Sequence, residues 1–395
     1  MESRRVGLLL ITVAVPGLVI GAWACGARTS IGLVEEYAEM STAPEGGLDG
    51  HPSGSDAELP PGEGGRADRG QAGDGGHAGD DGGHIRDAPA PSDVALPIAV
   101  AFATGQAPQA LALDGTYVYW ENAGGTVVNC LLGGCPSDAP TVLATNALSP
   151  GSNLEELAVG GSRAYFVDVS GNTDSCAGSG CGGSPTVFWW GSENLFGAHS
   201  VLATDSINLY YTQVYAESLA STPLGFTGGG RDYFIAPDDG ISAVTVNSGE
   251  VYFAEDATTR IRAHVACSLN ACTLGDRTVC SGALISGVES IVASGGYVYF
   301  TVSGEPMSIY ECPSQGGGSP AVYATDVAPY GLATDGTDLY WTNHAGSGTV
   351  ARCALGATCS TPSTVASRQD KPLAIAVNAT SVYWTTTTGV YEAPK

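Results

Sequence analysis

The sequence predicts an all-β fold, a seven-bladed β-propeller that occupies residues 97–395. The composition supports it: Gly reaches 56 residues and charged residues are only 14% of the chain, so long charged helix faces cannot be built. A Tyr-aromatic pair then recurs seven times, at Tyr119-Trp120, Tyr165-Phe166, Tyr210-Tyr211, Tyr252-Phe253, Tyr299-Phe300, Tyr340-Trp341 and Tyr383-Trp384. Its spacings of 46, 45, 42, 47, 41 and 43 residues match one four-stranded blade per repeat.

Each repeat has the same internal order, which the sixth shows most clearly. Its first strand is predicted at residues 330–334, and Asp335-Gly336 is typical of a tight hairpin turn. The second strand then covers 338–343, the third 348–353 and the fourth 363–367. Asp335, like Asp114 in the first repeat, is interpreted as a turn residue and not as a ligand.

The two ends of the domain predict how the ring closes. Residues 97–104 resemble the fourth strand of a repeat, whereas the last repeat ends with a third strand at 389–395. The N-terminal strand therefore completes the last blade and leaves no open sheet edge. A ring of six or eight blades is the alternative.

Three of the aromatic pairs continue in a way that resembles a known repeat. YWTN at 340–343, YWEN at 119–122 and YWTT at 383–386 resemble the YWTD repeat of propeller domains and, more loosely, NHL repeats. The resemblance covers residues 97–395. It departs in that Asn343, Asn122 and Thr386 replace the motif Asp, and in that YWTD propellers have six blades. It implies the propeller fold and little about function, and we interpret the pairs as packing between blades.

The first 24 residues are predicted to be an export signal. Arg4 and Arg5 precede an apolar run at 6–20, and Ala22-Trp23-Ala24 is a good cleavage site; a transmembrane anchor is the weaker alternative, because Pro16 and Gly17 interrupt a short run. Cys25 then resembles the lipidated Cys of bacterial lipoproteins, although Ala22 stands where their motif has Leu.

We expect residues 25–96 to be a lipid-anchored, disordered tether. This segment is rich in Gly, Asp and Pro and cannot bury enough apolar surface to offset chain entropy. Gly26 after Cys25 implies, by the resemblance to Gram-negative lipoproteins, an outer-membrane or cell-surface location. A soluble periplasmic or extracellular protein is the alternative.

The cysteines are predicted to form disulfides. Setting Cys25 aside leaves ten, and eight of them form short-range pairs: Cys130/Cys135, Cys176/Cys181, Cys267/Cys272 and Cys353/Cys359. Four zinc ligands would have to come together, which pairs in separate blades do not provide. Cys280 and Cys312 remain, and a bridge between neighbouring blades is the suggested pairing.

The charge excludes one class of partner. A formal net charge of −25 repels phosphate backbones, so we expect no nucleic-acid binding. We expect a monomer that meets a membrane only through its lipid anchor.

Polar residues at the ends of the second strands form the candidate ligand or cation site. Glu121, Asp168, Glu255, Asp256 and His344 would line an acidic mouth of the central channel, with calcium as the possible cofactor. The alternative is a set of solvated loop residues.

Two functions are compatible with these features. The first is a binding module for a glycan, peptide or protein. The second, suggested by some NHL-like propellers, is a metal-assisted lyase or lactonase at the channel mouth, with His344 as acid or base. No catalytic motif is present, so the catalytic residues are unknown.

Overall fold

The computed structural model describes residues 99–395, except 136–138, 146, 148–156, 169–171, 190–200, 214–217, 226–231, 236–239, 256–258, 266–276, 304–306 and 327. The predicted signal peptide, Cys25 and the tether lie outside the described residues. The described part consists of 28 strands in seven four-stranded antiparallel sheets, and it contains no helix that could cross a membrane. The all-β, seven-bladed prediction is confirmed.

Each blade is a meander from an inner strand at the channel to an outer strand at the rim. The inner strands are β2 (Pro108–Leu113), β6 (Leu157–Gly160), β10 (Leu202–Thr204), β14 (Ile241–Asn247), β18 (Val288–Ser294), β22 (Pro329–Thr334) and β26 (Ile375–Val377). The second strands are β3 (Tyr117–Asn122), β7 (Arg163–Val167), β11 (Asn208–Gln213), β15 (Glu250–Glu255), β19 (Tyr297–Val302), β23 (Asp338–Asn343) and β27 (Ser381–Thr386).

The remaining strands complete the sheets outward. The third strands are β4 (Thr126–Leu131), β8 (Thr173–Ala177), β12 (Ser218–Pro223), β16 (Arg260–Val265), β20 (Ser308–Pro313), β24 (Gly348–Ala354) and β28 (Gly389–Pro394). The outer strands are β5 (Thr141–Ala144), β9 (Thr186–Trp189), β13 (Asp232–Ile235), β17 (Arg277–Ser281), β21 (Ala321–Thr325) and β25 (Ser363–Gln369), with β1 (Val100–Thr104) in the last blade.

The ring closes as the sequence predicts. β1 pairs antiparallel with β28, with Val100 opposite Glu392 and Thr104 opposite Gly389. The seventh sheet therefore has the order β1-β28-β27-β26 and joins the two ends of the domain. Without β1 the backbone groups of β28 would be left as an open edge.

The aromatic pairs hold neighbouring blades together, which confirms the packing interpretation. All fourteen rings are at most 4% exposed. Seven separate clusters of buried side chains contain them, and each cluster combines the Tyr of one blade with the second aromatic of the next, as Tyr119 with Phe166 and Tyr299 with Trp341 show. One cluster thus fills each of the seven blade boundaries.

A register rule places an aliphatic residue beside each of these rings. On every inner strand, the residue opposite the second aromatic is Leu111, Leu157, Leu202, Val244, Ile291, Leu332 or Ile375. Residues directly opposite in an antiparallel pair share one face of the sheet. Each aliphatic side chain and the aromatic ring opposite it therefore pack together on the preceding blade.

Among the described residues, four disulfides cross-link the outer part of the ring. Cys130–Cys135, Cys176–Cys181 and Cys353–Cys359 each lie within one blade, whereas Cys280–Cys312 joins β17 of blade 4 to β20 of blade 5. These pairings are confirmed; Cys267 and Cys272 lie outside the described residues. Disulfides of this number are typical of proteins that fold in an oxidising compartment outside the cytoplasm.

Candidate functional site

The ring has two chemically different faces. We call the top face the one that carries the loops from second to third strands and the connections from each outer strand to the next inner strand. The bottom face carries the hairpins between first and second strands. Propellers usually bind ligands near the opening of the channel, so the residues at each face decide where a site can form.

The bottom face is fastened by aspartates. In three blades the Asp of the first hairpin accepts two backbone amide hydrogen bonds through Oδ1, and its Oδ2 accepts the hydroxyl of the paired Tyr. The Tyr-Asp pairs are Tyr119–Asp114 (2.9 Å), Tyr210–Asp205 (2.8 Å) and Tyr340–Asp335 (3.1 Å). Burial, then the neighbouring carboxylate, raises the pKa of Tyr119 and Tyr210 above the usual range. A phenol at this position is therefore structural.

Threonines fasten the top face at the position after the aromatic pair. Thr342 Oγ1 donates to the carbonyl of Leu373 in the next blade (2.7 Å) and accepts the Gly331 amide of its own inner strand (3.0 Å). Thr301 donates in the same way to Tyr330 O (2.6 Å). In blade 1 this position is Glu121.

The residue after this threonine position is Asn343 in blade 6 and Asn122 in blade 1, where the YWTD motif has Asp. Its hydrogen bonds show what the Asn does. Asn343 Nδ2 donates to Asp326 Oδ2 (3.0 Å), which also accepts the Trp341 indole N–H (2.8 Å). In blade 1, Asn122 Nδ2 donates to Gln106 Oε1 (3.0 Å). The Asn therefore ties the second strand to the connection that enters its own blade.

Two of the predicted acidic ligands lie inside the blades and not on an open rim. Glu121 is 1% exposed and Glu255 is 2% exposed. Glu255 Oε1 accepts a hydrogen bond from Arg262 Nη1 at 2.7 Å in a partly buried ion pair, and Arg262 also lies 5.8 Å from the centre of the Phe253 ring. Asp256 lies outside the described residues.

Asp168 is buried at the top of blade 2, directly after β7. Its Oδ1 accepts the Asn172 backbone amide at 2.8 Å and its Oδ2 accepts the Asn172 side-chain amide at 3.1 Å. Six residues on, Asp174 is 3% exposed. Burial, then the Asp168 charge, raises the pKa of Asp174 to about 6.

His344 belongs to a polar and aromatic group that we call the mouth cluster: Glu289, Tyr330 and His344. The His344 ring lies 5.3 Å from the Tyr330 ring at an interplanar angle of 36°, and its Nδ1 lies 3.4 Å from Pro372 O. Tyr330 forms a side-chain hydrogen bond with Glu289 of the preceding blade; burial and this carboxylate raise the pKa of Tyr330 above its usual range.

Irregular backbone places the mouth cluster. The pairing of β18 with β19 shifts between Val288 and Ser290, so Glu289 is the extra residue of a bulge. The pairing of β22 with β23 shifts between Pro329 and Leu332 and frees Tyr330 in the same way. Bulges re-aim side chains, and here two inner strands project polar groups at their top ends.

A small cavity lies on the ring axis next to the mouth cluster. Its volume is about 140 Å³, and its walls come from the inner strands of six blades, including Ser290 and Gly331, which follow Glu289 and Tyr330 in sequence. Drug-sized ligands occupy roughly 300–1,000 Å³, so this cavity is too small to enclose one. A larger ligand would have to rest on the top face.

The described residues bring Glu289, Tyr330 and His344 together, and Asp168 with Asp174. Within those ranges, no three Asp, Glu, His or Cys side chains are grouped to hold a metal ion, and the calcium prediction stays a prediction. The sequence analysis missed Glu289 and Tyr330, because bulges leave no clear sequence signal. It also missed Asp174, which a blade alignment could have found: the same register holds Val128, Ala220, Tyr310, Ala351 and Tyr391 in five other blades and Arg262 in the sixth.

Solved structures with the same architecture include two lyases and an unrelated protein. A streptogramin B lyase is 13% identical over 75% of this chain and 96% of its own, with a TM-score of 0.54. A catalytically inactive virginiamycin B lyase from Staphylococcus aureus with quinupristin is 11% identical over 75% and 99%, with a TM-score of 0.56. U3-55K is 9% identical over 75% and 98%, with a TM-score of 0.56.

These similarities show the propeller fold alone, because the sequence identities are between 9% and 13%. No family model matches the chain, and no curated protein is significantly similar to it.

Proposed function

We propose that this chain is an exported, non-enzymatic binding module that takes its ligand on the top face of the propeller, around the mouth cluster. The observation that carries the proposal is the contact of Tyr330 with both Glu289 and His344 at the edge of the axial cavity. A carboxylate, a phenol and an imidazole side by side offer hydrogen-bond donors, acceptors and ring faces to one ligand.

The ring suits this role because it holds the cluster on rigid elements. Glu289 and Tyr330 start two adjacent inner strands, and Leu332 N donates to Ser290 Oγ at 3.2 Å across the blade boundary. A binding surface whose groups are already fixed loses less conformational entropy on binding. The ligand class that fits is a glycan, peptide or protein surface rich in hydrogen-bonding groups.

Screening arrays of glycans and peptides with the labelled, purified chain tests the proposal. Wild type should give a reproducible set of positive spots, and both Glu289→Gln and His344→Ala should lose them. Thr337→Ala, at an exposed bottom-face turn, is the matched control and should bind as wild type. Equal binding by all four proteins would place the site elsewhere.

The attachment of the module is a separate part of the proposal. We infer that the Cys25 thiol is lipidated and holds the propeller at the outer membrane or cell surface, with residues 26–96 as the tether. Cys25→Ser should then release the protein from the membrane fraction. Mass spectrometry that finds an unmodified Cys25 in the mature protein would instead indicate ordinary secretion.

A metal-assisted lyase is the second candidate function, because the mouth cluster contains acid–base groups of the right types. Two of the similar structures are a streptogramin B lyase and a virginiamycin B lyase, although likeness at this identity does not transfer activity. Incubation with quinupristin, followed by reverse-phase chromatography, separates the two functions. The binding proposal predicts that quinupristin is recovered intact, whereas a new peak that vanishes in His344→Ala would support the lyase.

A further inference from the structure

Asp174 is a carboxylate in a register that five of the other six blades fill with an apolar or aromatic side chain, the exception being Arg262 of blade 4. It lies on β8 directly opposite Phe166 of β7, and Phe166 belongs to the buried cluster that joins blade 2 to Tyr119, Val127 and Leu143 of blade 1. Because directly opposite residues share one face of the sheet, Asp174 points towards the boundary with blade 1.

Asp168 shares that face. It follows Phe166 by two residues, and side chains two positions apart on a strand point the same way. Both Asp168 oxygens are oriented by hydrogen bonds from Asn172. The two carboxylates are therefore diagonal neighbours at the top of one blade boundary.

The free-energy cost of burying Asp174 is not offset by a hydrogen bond to its Oδ1. The residue is 3% exposed, and its Oδ1 has no hydrogen-bond partner. A buried carboxylate that lacks partners is strongly unfavourable, so such groups are normally paired or coordinate a metal. Repulsion from Asp168 increases the cost when both are ionised.

We propose that Asp168 and Asp174 bind a calcium ion at the boundary between blades 1 and 2. Calcium prefers oxygen ligands, accepts irregular geometry and is completed by water where the protein supplies few ligands. The ion compensates two neighbouring negative charges and fastens the ends of β7 and β8. The proposed calcium site thus lies between blades 1 and 2, and not at the mouth of the channel where the sequence analysis expected a cation. It is independent of the proposed ligand-binding surface around the mouth cluster.

Calcium titration of the full chain, made metal-free with a chelator, tests the site. Isothermal titration calorimetry of the wild type with CaCl₂ should show one ion bound per chain, with Asp174→Asn weakening the affinity more than ~10-fold. The matched control is Glu311→Gln, which removes another partly buried carboxylate whose pKa is raised by burial alone; its titration should equal that of the wild type.

Thermal unfolding gives a second readout that does not require the variants. Calcium should raise the wild-type melting temperature by a few degrees (~3 °C or more at saturation), and magnesium at the same concentration should raise it less. Absence of calcium binding by the wild type would overturn the proposal, as would unchanged binding in a folded Asp174→Asn or a larger response to magnesium.

Discussion

On the bottom face, Asp114, Asp205 and Asp335 perform the same task in three different blades, whereas one position at the top end of the second strands differs between every pair of neighbouring blades. The fourth residue counted from the first Tyr is in turn Asn122, Asp168, Gln213, Glu255, Val302, Asn343 and Thr386. The hairpin Asp is thus repeated where its hydrogen bonds form the turn of a blade. The fourth residue of the motif, at the top end of the second strand, varies from blade to blade.

Both faces depend on a closed ring, so opening the ring has the largest expected effect. Deleting residues 26–94 should leave a stable and soluble domain, because only the predicted tether is lost. Extending the deletion through Thr104 removes β1, exposes the edge of β28 and should cause a sharp loss of stability or aggregation. Melting curves of the two truncations compare them, and equal melting temperatures would mean that β1 does not close the ring.

The disulfides allow a cross-link within one blade to be compared with a cross-link between two blades. Cys280–Cys312 spans 32 residues and Cys130–Cys135 spans five, so loop-closure entropy assigns them about 3.7 and about 2 kcal/mol. Replacing both cysteines of each pair by Ala, followed by urea unfolding, measures the difference. A larger loss for Cys130–Cys135 would contradict the cross-blade role of the longer bridge.

The bottom-face turn should be sensitive to a single substitution. Asp335→Ala removes the partner of two backbone amides, of the Tyr340 hydroxyl and of Lys395 Nζ, and we expect it to lower the free energy of unfolding by about 2–3 kcal/mol. Asp370→Ala, on an exposed top-face connection, should cost less than ~0.5 kcal/mol. Chemical denaturation of both variants tests the contrast, which fails if the two losses are similar.

The fold could be predicted almost completely because each blade repeats its own local signals. The Tyr-aromatic pairs, the Asp-Gly turn at Asp335 and the spare strand at 97–104 are short-range patterns whose structural consequences do not depend on distant residues. The observed second strand Asp338–Asn343 coincides with its predicted bounds. Even the unusual Cys280–Cys312 bridge followed from counting.

The site could be predicted only in part, because burial and backbone irregularity are not local. The sequence alone suggests that Glu255 is a solvent-exposed carboxylate. In the structure, strand pairing brings Arg262 next to it in an ion pair. Tyr330 looks like any strand residue, and only the bulge in β22 brings it to His344. The sequence identified His344 and Asp168, but Tyr330 depends on the three-dimensional arrangement of the blades, and Asp174 stands out only when the third strands of the blades are aligned.

In metal-free protein, the raised pKa of Asp174 predicts that the free energy of unfolding falls as the pH rises. Its folded-state pKa of about 6 lies above the unfolded value, so its contribution to stability is fully present below about pH 4 and is lost as the pH rises through about 6. The loss is at most about 3 kcal/mol, and Asp174→Asn should lack it. Unfolding of both proteins at pH 4.5 to 7.5 in chelator measures it; parallel stability curves would contradict the assignment.

The division between a structural bottom face and a binding top face is tested most directly by two Tyr→Phe variants that each remove one hydroxyl. Tyr340→Phe loses the bond to Asp335, and Tyr330→Phe loses the bond to Glu289. Melting temperature and array binding are measured for both. We predict that Tyr340→Phe melts ~3 °C or more below wild type with unchanged binding, whereas Tyr330→Phe melts close to wild type and loses the positive spots. The opposite pattern, or wild-type binding by Tyr330→Phe, would contradict the account.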